Sequence, residues 1–197
     1  MKPLATLLSF CFLLNATSAV AHTLVISDID DTVKISYVRS KIEMVSFSVF
    51  SDSLFFGMNR VYQDIKKTTD AKFFYVSNGW TPTVAAVHGK LLRNFEFPEG
   101  QYFSRNNPLI KDFKFETISK IINQENPDTV ILIGDNGEKD AVIYQRIAQE
   151  FKNQSITFHA YIHQVYADTK AEVAEIAAPG SNLPADQAEF SNAAELS

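Results

Sequence analysis

Thr23-Leu24-Val25-Ile26-Ser27-Asp28-Ile29-Asp30-Asp31-Thr32-Val33 is the stretch on which the reading of this chain turns. Its first five residues form a short apolar run, and carboxylates follow at once. Such a run, rich in β-branched residues and closed by polar ones, reads as a buried strand. Three acids directly after a buried strand repel one another. A divalent cation is the simplest remedy, and an all-oxygen donor set selects a hard ion such as Mg2+. Taken alone, the same triad reads equally well as an acidic turn or a helix cap.

Working outward, strand-like and helical patterns alternate as far as about residue 165. Residues 72–76, 101–104, 129–133 and 156–162 read as further strands, the third of these buried on both faces. Leu54, Met58, Val61, Tyr62 and Ile65 recur at helical spacing. So do Val84, Val87, Leu91, Leu92 and Phe95, with Thr81 placed as N-cap and Pro82 at the first helical position. Phe115, Ile118, Ile121 and Ile122 mark a third helix, and Ala141, Tyr144, Ile147, Ala148 and Phe151 a fourth. The alternation predicts an α/β, Rossmann-like fold: a parallel sheet of about five strands with helices on both faces. The stretch from about residue 34 to 69 is long for a crossover and predicts a small cap insertion after the first strand.

Ligands in open α/β sheets bind beyond the carboxyl ends of the strands. Three expected strands run into polar residues at that edge: Asp28-Ile29-Asp30, Ser77-Asn78 and Gly134-Asp135. Asp135 strengthens the case for a metal, because two acidic strand ends in one parallel sheet make an oxygen cage. Asp140, near the start of the next helix, is either a further acid of that cage or a partner for the helix dipole. A phosphoryl group also needs donors. Ser77 offers a hydroxyl and Lys114 a point charge, although a serine before Asn-Gly is usually turn chemistry and a lysine usually solvated surface. Arg105, after the third strand, is a candidate for headgroup contact. His88, His159 and His163 have no metal spacing; His163 ends the last strand, where it either approaches the site or, as is commoner, is a surface histidine.

Length and composition bound the rest. A chain of 197 residues, 46% hydrophobic and 12% aromatic, supports one sizeable core. A formal charge of -5 lacks the basic footprint of a sequence-independent nucleic-acid binder. Lys2, an apolar run over 4–14 and Ala19-Val20-Ala21 have the layout of a secretory signal cut before His22. The run is short for a membrane span, which needs roughly 20 residues. The expected organisation is therefore a signal peptide over 1–21, a domain over 22–167 and an acidic, partly flexible tail over 168–197. Such a protein lies in the periplasm or is secreted, without a transmembrane anchor. Cys11 is the one cysteine and falls inside the signal, which excludes a disulfide, a thiolate nucleophile or a cysteine metal site in the mature chain.

The segment Ser27-Asp28-Ile29-Asp30-Asp31-Thr32-Val33-Lys34 resembles the first motif of the haloacid dehalogenase superfamily. Ser77, Lys114 and Gly134-Asp135 through Asp140 stand where its second, third and fourth motifs belong, in the same order. Tyr75-Val76-Ser77-Asn78, Phe97-Pro98-Glu99-Gly100, and Ile131 to Gly137 with Ile143-Tyr144 are similar to one branch, the catalytic domain of actin-patch-type phosphatidate phosphatases and their bacterial relatives. The resemblance implies a phosphatase with Asp28 as nucleophile and Asp30 as general acid and base. Neighbouring Asp28 and Asp31 would push the Asp30 pKa upward. It implies Mg2+ held by Asp28, the Asp30 carbonyl and Asp135, with Asp140 a direct or indirect ligand. Ser77 and Lys114 would hold the phosphate, and Asn78 and Gly79 would add donors.

Three departures bear on the substrate. Gly79-Trp80-Thr81-Pro82 replaces the branch's Ser-Pro-Trp, Asn136 a usual serine, and Phe113 a histidine before the motif lysine, which leaves Lys111 as a competitor for the Lys114 role. The implied substrate is phosphatidate, a phospholipid monoester met at a membrane surface in lipid metabolism. An exported acid phosphatase for nucleotides or sugar phosphates is the alternative within the fold. A non-catalytic phosphate-binding effector module is the alternative outside enzymology. Val45, Phe47, Val49, Phe50, Leu54, Phe55 and Phe56 either pack the insertion onto the domain or face acyl chains.

Overall fold

The computed structural model describes residues 21–36, 53–107, 109–166 and 187–196. The signal-like segment, Val45 to Phe50 and the helix expected after Thr169 lie outside these residues. The element order is β1 (Thr23–Ser27), α1 (Met58–Thr69), β2 (Lys72–Trp80), α2 (Thr81–Asn94), β3 (Gly100–Arg105), α3 (Phe113–Glu125), β4 (Thr129–Asp135), α4 (Asp140–Glu150), β5 (Thr157–His163) and β6 (Gln187–Phe190). A 3-10 turn follows at Ala193–Leu196. All six strands are parallel, in the order β3-β2-β1-β4-β5-β6.

Successive side chains of a strand point to opposite faces, and this divides the core in two. Leu24 and Ile26 face α3 and α4, packing with Ile118, Ile121, Ile122, Tyr144 and Ile147. Val25 faces α1 and α2, packing with Met58, Val61, Tyr62 and Leu91. The right-handed rule for parallel crossovers accounts for the division. From β1 the chain moves one way through β2 to β3, then returns across β1 to β4 and β5. Right-handed connections in opposite directions place their helices on opposite faces. The order therefore reverses at β1, where ligands bind in such sheets. Asp28 stands there.

Several expectations change. Thr81 is not the cap of α2: Trp80 takes that position, and the Thr81 hydroxyl bonds Ser104 and Asn106 instead. Leu54 lies outside α1, in an isolated bridge to Lys34. The buried face of α2 is Val84, His88 and Leu91. The sheet has six strands instead of about five. Residues 187–196, expected in a flexible acidic end, add a parallel strand beside β5 and return Phe190 and Ala193 to the second core. His163, expected at the surface, is buried against Phe190, with ring centroids 4.6 Å apart and 4° between planes.

Phe190→Ala is expected to destabilise the fold by about 3–5 kcal/mol, the usual loss for a buried Phe, measured by urea denaturation. A change under about 0.5 kcal/mol, typical of a surface position, would mean that β6 contributes no packing.

Candidate active site

At the carboxyl end of β1 the backbone sets where the acids stand. The Asp28 N–H donates to the Ile133 carbonyl at 2.8 Å, which ties the end of β1 to β4. The chain then turns tightly, with Val33 and Lys34 N–H both on the Ile29 carbonyl. Asp31 sits in the left-handed region at φ 57, which Asp tolerates better than most residues. Its carboxylate accepts from Ser36 N–H at 2.7 Å and from the Tyr166 hydroxyl.

The three neighbouring acids thus diverge. Asp31 braces the turn. Asp30 faces His88, Ser36 and Ser77. Asp28 alone joins acids from elsewhere: among the described residues, Asp28, Asp135 and Asp140 are the group that could hold a metal, with carboxylate oxygens within 4.8 Å of one another. All three are buried. Asp135 ends β4 and accepts from the N–H groups of Gly137 at 2.5 Å and Glu138 at 3.2 Å. Asp140 opens α4. Its approach requires Gly134 to lack a side chain, since a Cβ there would stand 2.3 Å from Asp140 Oδ2.

Lys114, in the first turn of α3, is 1% exposed and reaches into this group. Its ammonium lies 2.8 Å from Asp28 Oδ1 and 2.5 Å from Asp140 Oδ1. Lys111 is exposed and does not compete for the position. Burial pushes the Asp28 and Asp135 carboxyls well above the usual carboxylate range; neighbouring acids add to this and Lys114 opposes it. Burial disfavours the Lys114 ammonium, but Asp140 and Asp28 outweigh it and raise its pKa. Three buried carboxylates against one ammonium leave a site short of positive charge. The donors are all oxygen, so they fit a hard divalent cation.

Ser77 is at the carboxyl end of β2, where the register with β3 shifts. Its hydroxyl lies 3.3 Å from Asp30 Oδ2 and accepts from Gly79 N–H at 3.0 Å. Asn78 crosses the site mouth to donate to Glu138 Oε2 at 2.9 Å. Arg105 donates through Nε to the Asn78 carbonyl, so it braces that wall.

Asp30 differs from expectation. Burial pushes its carboxyl up, but His88, Ser36 and Lys34 outweigh that and hold it at about 2. The net shift is downward, opposite to the upward one expected.

Sequence reasoning also missed His88, fully buried and 3.3 Å from Asp30. Its spacing from Val84 and Leu91 was the available signal. Asn136 was noted only as a departure. Its carbonyl oxygen accepts from Val165 and Tyr166 N–H at 3.0 Å each, and its amide donates to Gln164 and to the Tyr166 carbonyl at 2.7 Å each. It ties the loop after β4 to the chain after β5, a role a shorter serine could not fill.

The family model for phosphatidate phosphatase APP1, catalytic domain, matches residues 23–160. No curated protein matches the chain. A crystal structure of cytosolic 5'-nucleotidase IIIB bound to cytidine is 14% identical, with 73% of each chain covered and a TM-score of 0.44. A chain of the Pnkp1/Rnl/Hen1 complex is also 14% identical, over 85% of this chain and 55% of that one, with a TM-score of 0.45.

Two substitutions are expected to act in opposite directions in chelator at pH 7. Lys114→Met strands the buried acids and costs about 3–5 kcal/mol. Raised folded-state pKa values mean the folded site holds protons the unfolded chain releases above about 3.9, so metal-free stability falls as pH rises from there. Asp135→Asn removes part of that fall and raises Tm by about 2–4 °C, roughly 1 kcal/mol in a domain of this size. Thermal denaturation at pH 5 and pH 7 reads both.

Proposed function

We propose, for a chain that belongs to the phosphatidate phosphatase APP1 catalytic-domain family, Mg2+-dependent hydrolysis of a phosphate monoester through an aspartyl-phosphate intermediate. Membership makes the chain a phosphatase of the haloacid dehalogenase type. The observation that carries the finer reading is Lys114 seated between Asp28 and Asp140, inside a buried group with Asp135.

Asp28 Oδ attacks phosphorus, and the bond from phosphorus to the ester oxygen breaks. Asp30 delivers a proton to the departing alkoxide. Water then attacks the aspartyl phosphate, Asp30 takes its proton, and inorganic phosphate leaves with Asp28 regenerated. Two displacements replace one difficult step, with one side chain serving as acid and then as base. In the free site Asp30 is held ionised. An arriving phosphate dianion is the like charge that moves it toward protonation. Lys114 and Ser77 hold phosphoryl oxygens, with the backbone around Asn78 and Gly79 as further donors. Asp28, the Asp30 carbonyl, Asp135 and Asp140 would hold Mg2+. When bound, it supplies the positive charge that lets an anionic nucleophile meet an anionic ester.

Phosphatidate is the proposed substrate. The family description supports it, and so does the site's surroundings. Among the described residues the exposed large hydrophobics are Phe56, Trp80, Leu109 and Ile110; Trp80 is the last residue of β2, and the other three lie in segments joining a strand's carboxyl end to the next helix. Trp in particular suits the boundary between water and lipid. No helix among the described residues is long and apolar enough to cross a membrane. The signal-like segment supports an exported enzyme whose mature chain starts at His22, just before β1.

Three outcomes are expected from the chain starting at His22. Phosphate release from phosphatidate in micelles exceeds that from nucleotides and sugar phosphates. Excess chelator abolishes it and Mg2+ restores it. Asp28→Asn lowers kcat at least about 1,000-fold while circular dichroism stays native. Undiminished turnover by Asp28→Asn would rule out the nucleophile, and a preference for soluble esters would rule out the lipid substrate.

A further inference from the structure

We propose that His88 is a positioning residue for Asp30, fixing the carboxyl in the orientation from which it exchanges protons with the substrate. The proposal rests on the reading of Asp30 as general acid and base.

His88 projects from the inner face of α2 and is 0% exposed. Nε2 lies 3.3 Å from Asp30 Oδ1, and Nδ1 lies 3.0 Å from the Tyr102 hydroxyl on β3. The Tyr102 ring meets the imidazole edge-on, with centroids 5.8 Å apart and 82° between planes. Both ring nitrogens are thus engaged, one by Tyr102 and the other by Asp30, so the imidazole is held from two sides.

The other side chains hydrogen-bonded to Asp30 are hydroxyls, Ser36 Oγ at 2.6 Å from Oδ1 and Ser77 Oγ at 3.3 Å from Oδ2, while the buried Lys34 ammonium acts on it through charge. A hydroxyl proton rotates to suit its neighbours. Ser77 is, moreover, one of the groups proposed to hold phosphate. His88 is the rigid partner, braced behind by Tyr102. Meanwhile the Asp30 backbone is pinned by the turn, where Asp31 N–H donates to the Lys34 carbonyl at 2.7 Å. With the main chain fixed, the orientation of the carboxyl is what remains to be set. A leucine would fill this buried place on α2 without leaving two ring nitrogens to satisfy, so packing alone does not call for histidine.

Leaving-group dependence separates positioning from a merely structural role. An alkoxide must be protonated as it departs, whereas p-nitrophenolate departs unaided. The ratio kcat/KM reports the first displacement for both esters. His88→Leu is expected to lower kcat/KM about 100-fold for hexyl phosphate and less than about 5-fold for p-nitrophenyl phosphate, in line with the size of general acid catalysis. His88→Gln, which keeps a donor, recovers at least tenfold on hexyl phosphate. Tyr102→Phe shows the same selectivity, at about 5-fold to 10-fold, and serves if His88→Leu does not fold. Equal losses on both esters, or none, in variants that fold while Asp30→Asn shows the selectivity overturns the proposal alone. An Asp30→Asn variant without selectivity overturns it together with the acid–base reading.

Discussion

The buried ammonium of Lys114, within hydrogen-bond reach of both Asp28 and Asp140, is the interaction on which the site depends. Three carboxylates in a water-poor pocket repel strongly, and each costs desolvation energy that only an opposite charge offsets. Lys114 satisfies part of the demand. The remainder is a deficit of positive charge, which a cation would fill. The same deficit that weakens the metal-free fold thus selects what the pocket binds. Function and stability pull against each other here, as active sites commonly require.

The fold supplies this arrangement through one topological fact. Because the strand order reverses at β1, residues distant in sequence meet where β1, β2 and β4 end side by side. Asp28 and Asp135 are more than a hundred positions apart, yet the N–H of the first bonds the strand carrying the second. The helices finish the placement. Lys114 and Asp140 lie in the first turns of α3 and α4, whose amino ends point to the same edge. Glycine 134 removes the last steric obstacle between β4 and α4.

The sheet and most of the pocket were legible in the sequence because both are written in local signals. Buried parallel strands are apolar runs, and their carboxyl ends are marked by the residues that follow. Asp28, Ser77 and Gly134-Asp135 were found in that way. What was not legible depends on partners far along the chain. His88 is 58 positions from Asp30, and the apolar spacing read on its helix, Val84, Val87, Leu91, Leu92 and Phe95, omits it. The low pKa of Asp30 was missed for the same reason: its nearest charged neighbours in sequence turn elsewhere, while its partner in space was unassigned. β6 was missed because Gln187-Ala188-Glu189-Phe190 has one large apolar residue and lies in an acidic, alanine-rich stretch. Its strand character comes from pairing with β5 and from the Phe190–His163 stack, neither of which four residues can announce.

The central claim is covalent: phosphate passes through the side chain of residue 28. Rapid quenching during turnover, followed by borohydride reduction and peptide mass analysis, tests it directly, because reduction converts an acyl phosphate into an alcohol. The expected result is homoserine at position 28 and at no other carboxylate, appearing only when substrate is present. A modified acid elsewhere, or no reduced residue in an enzyme that is turning over, would contradict it.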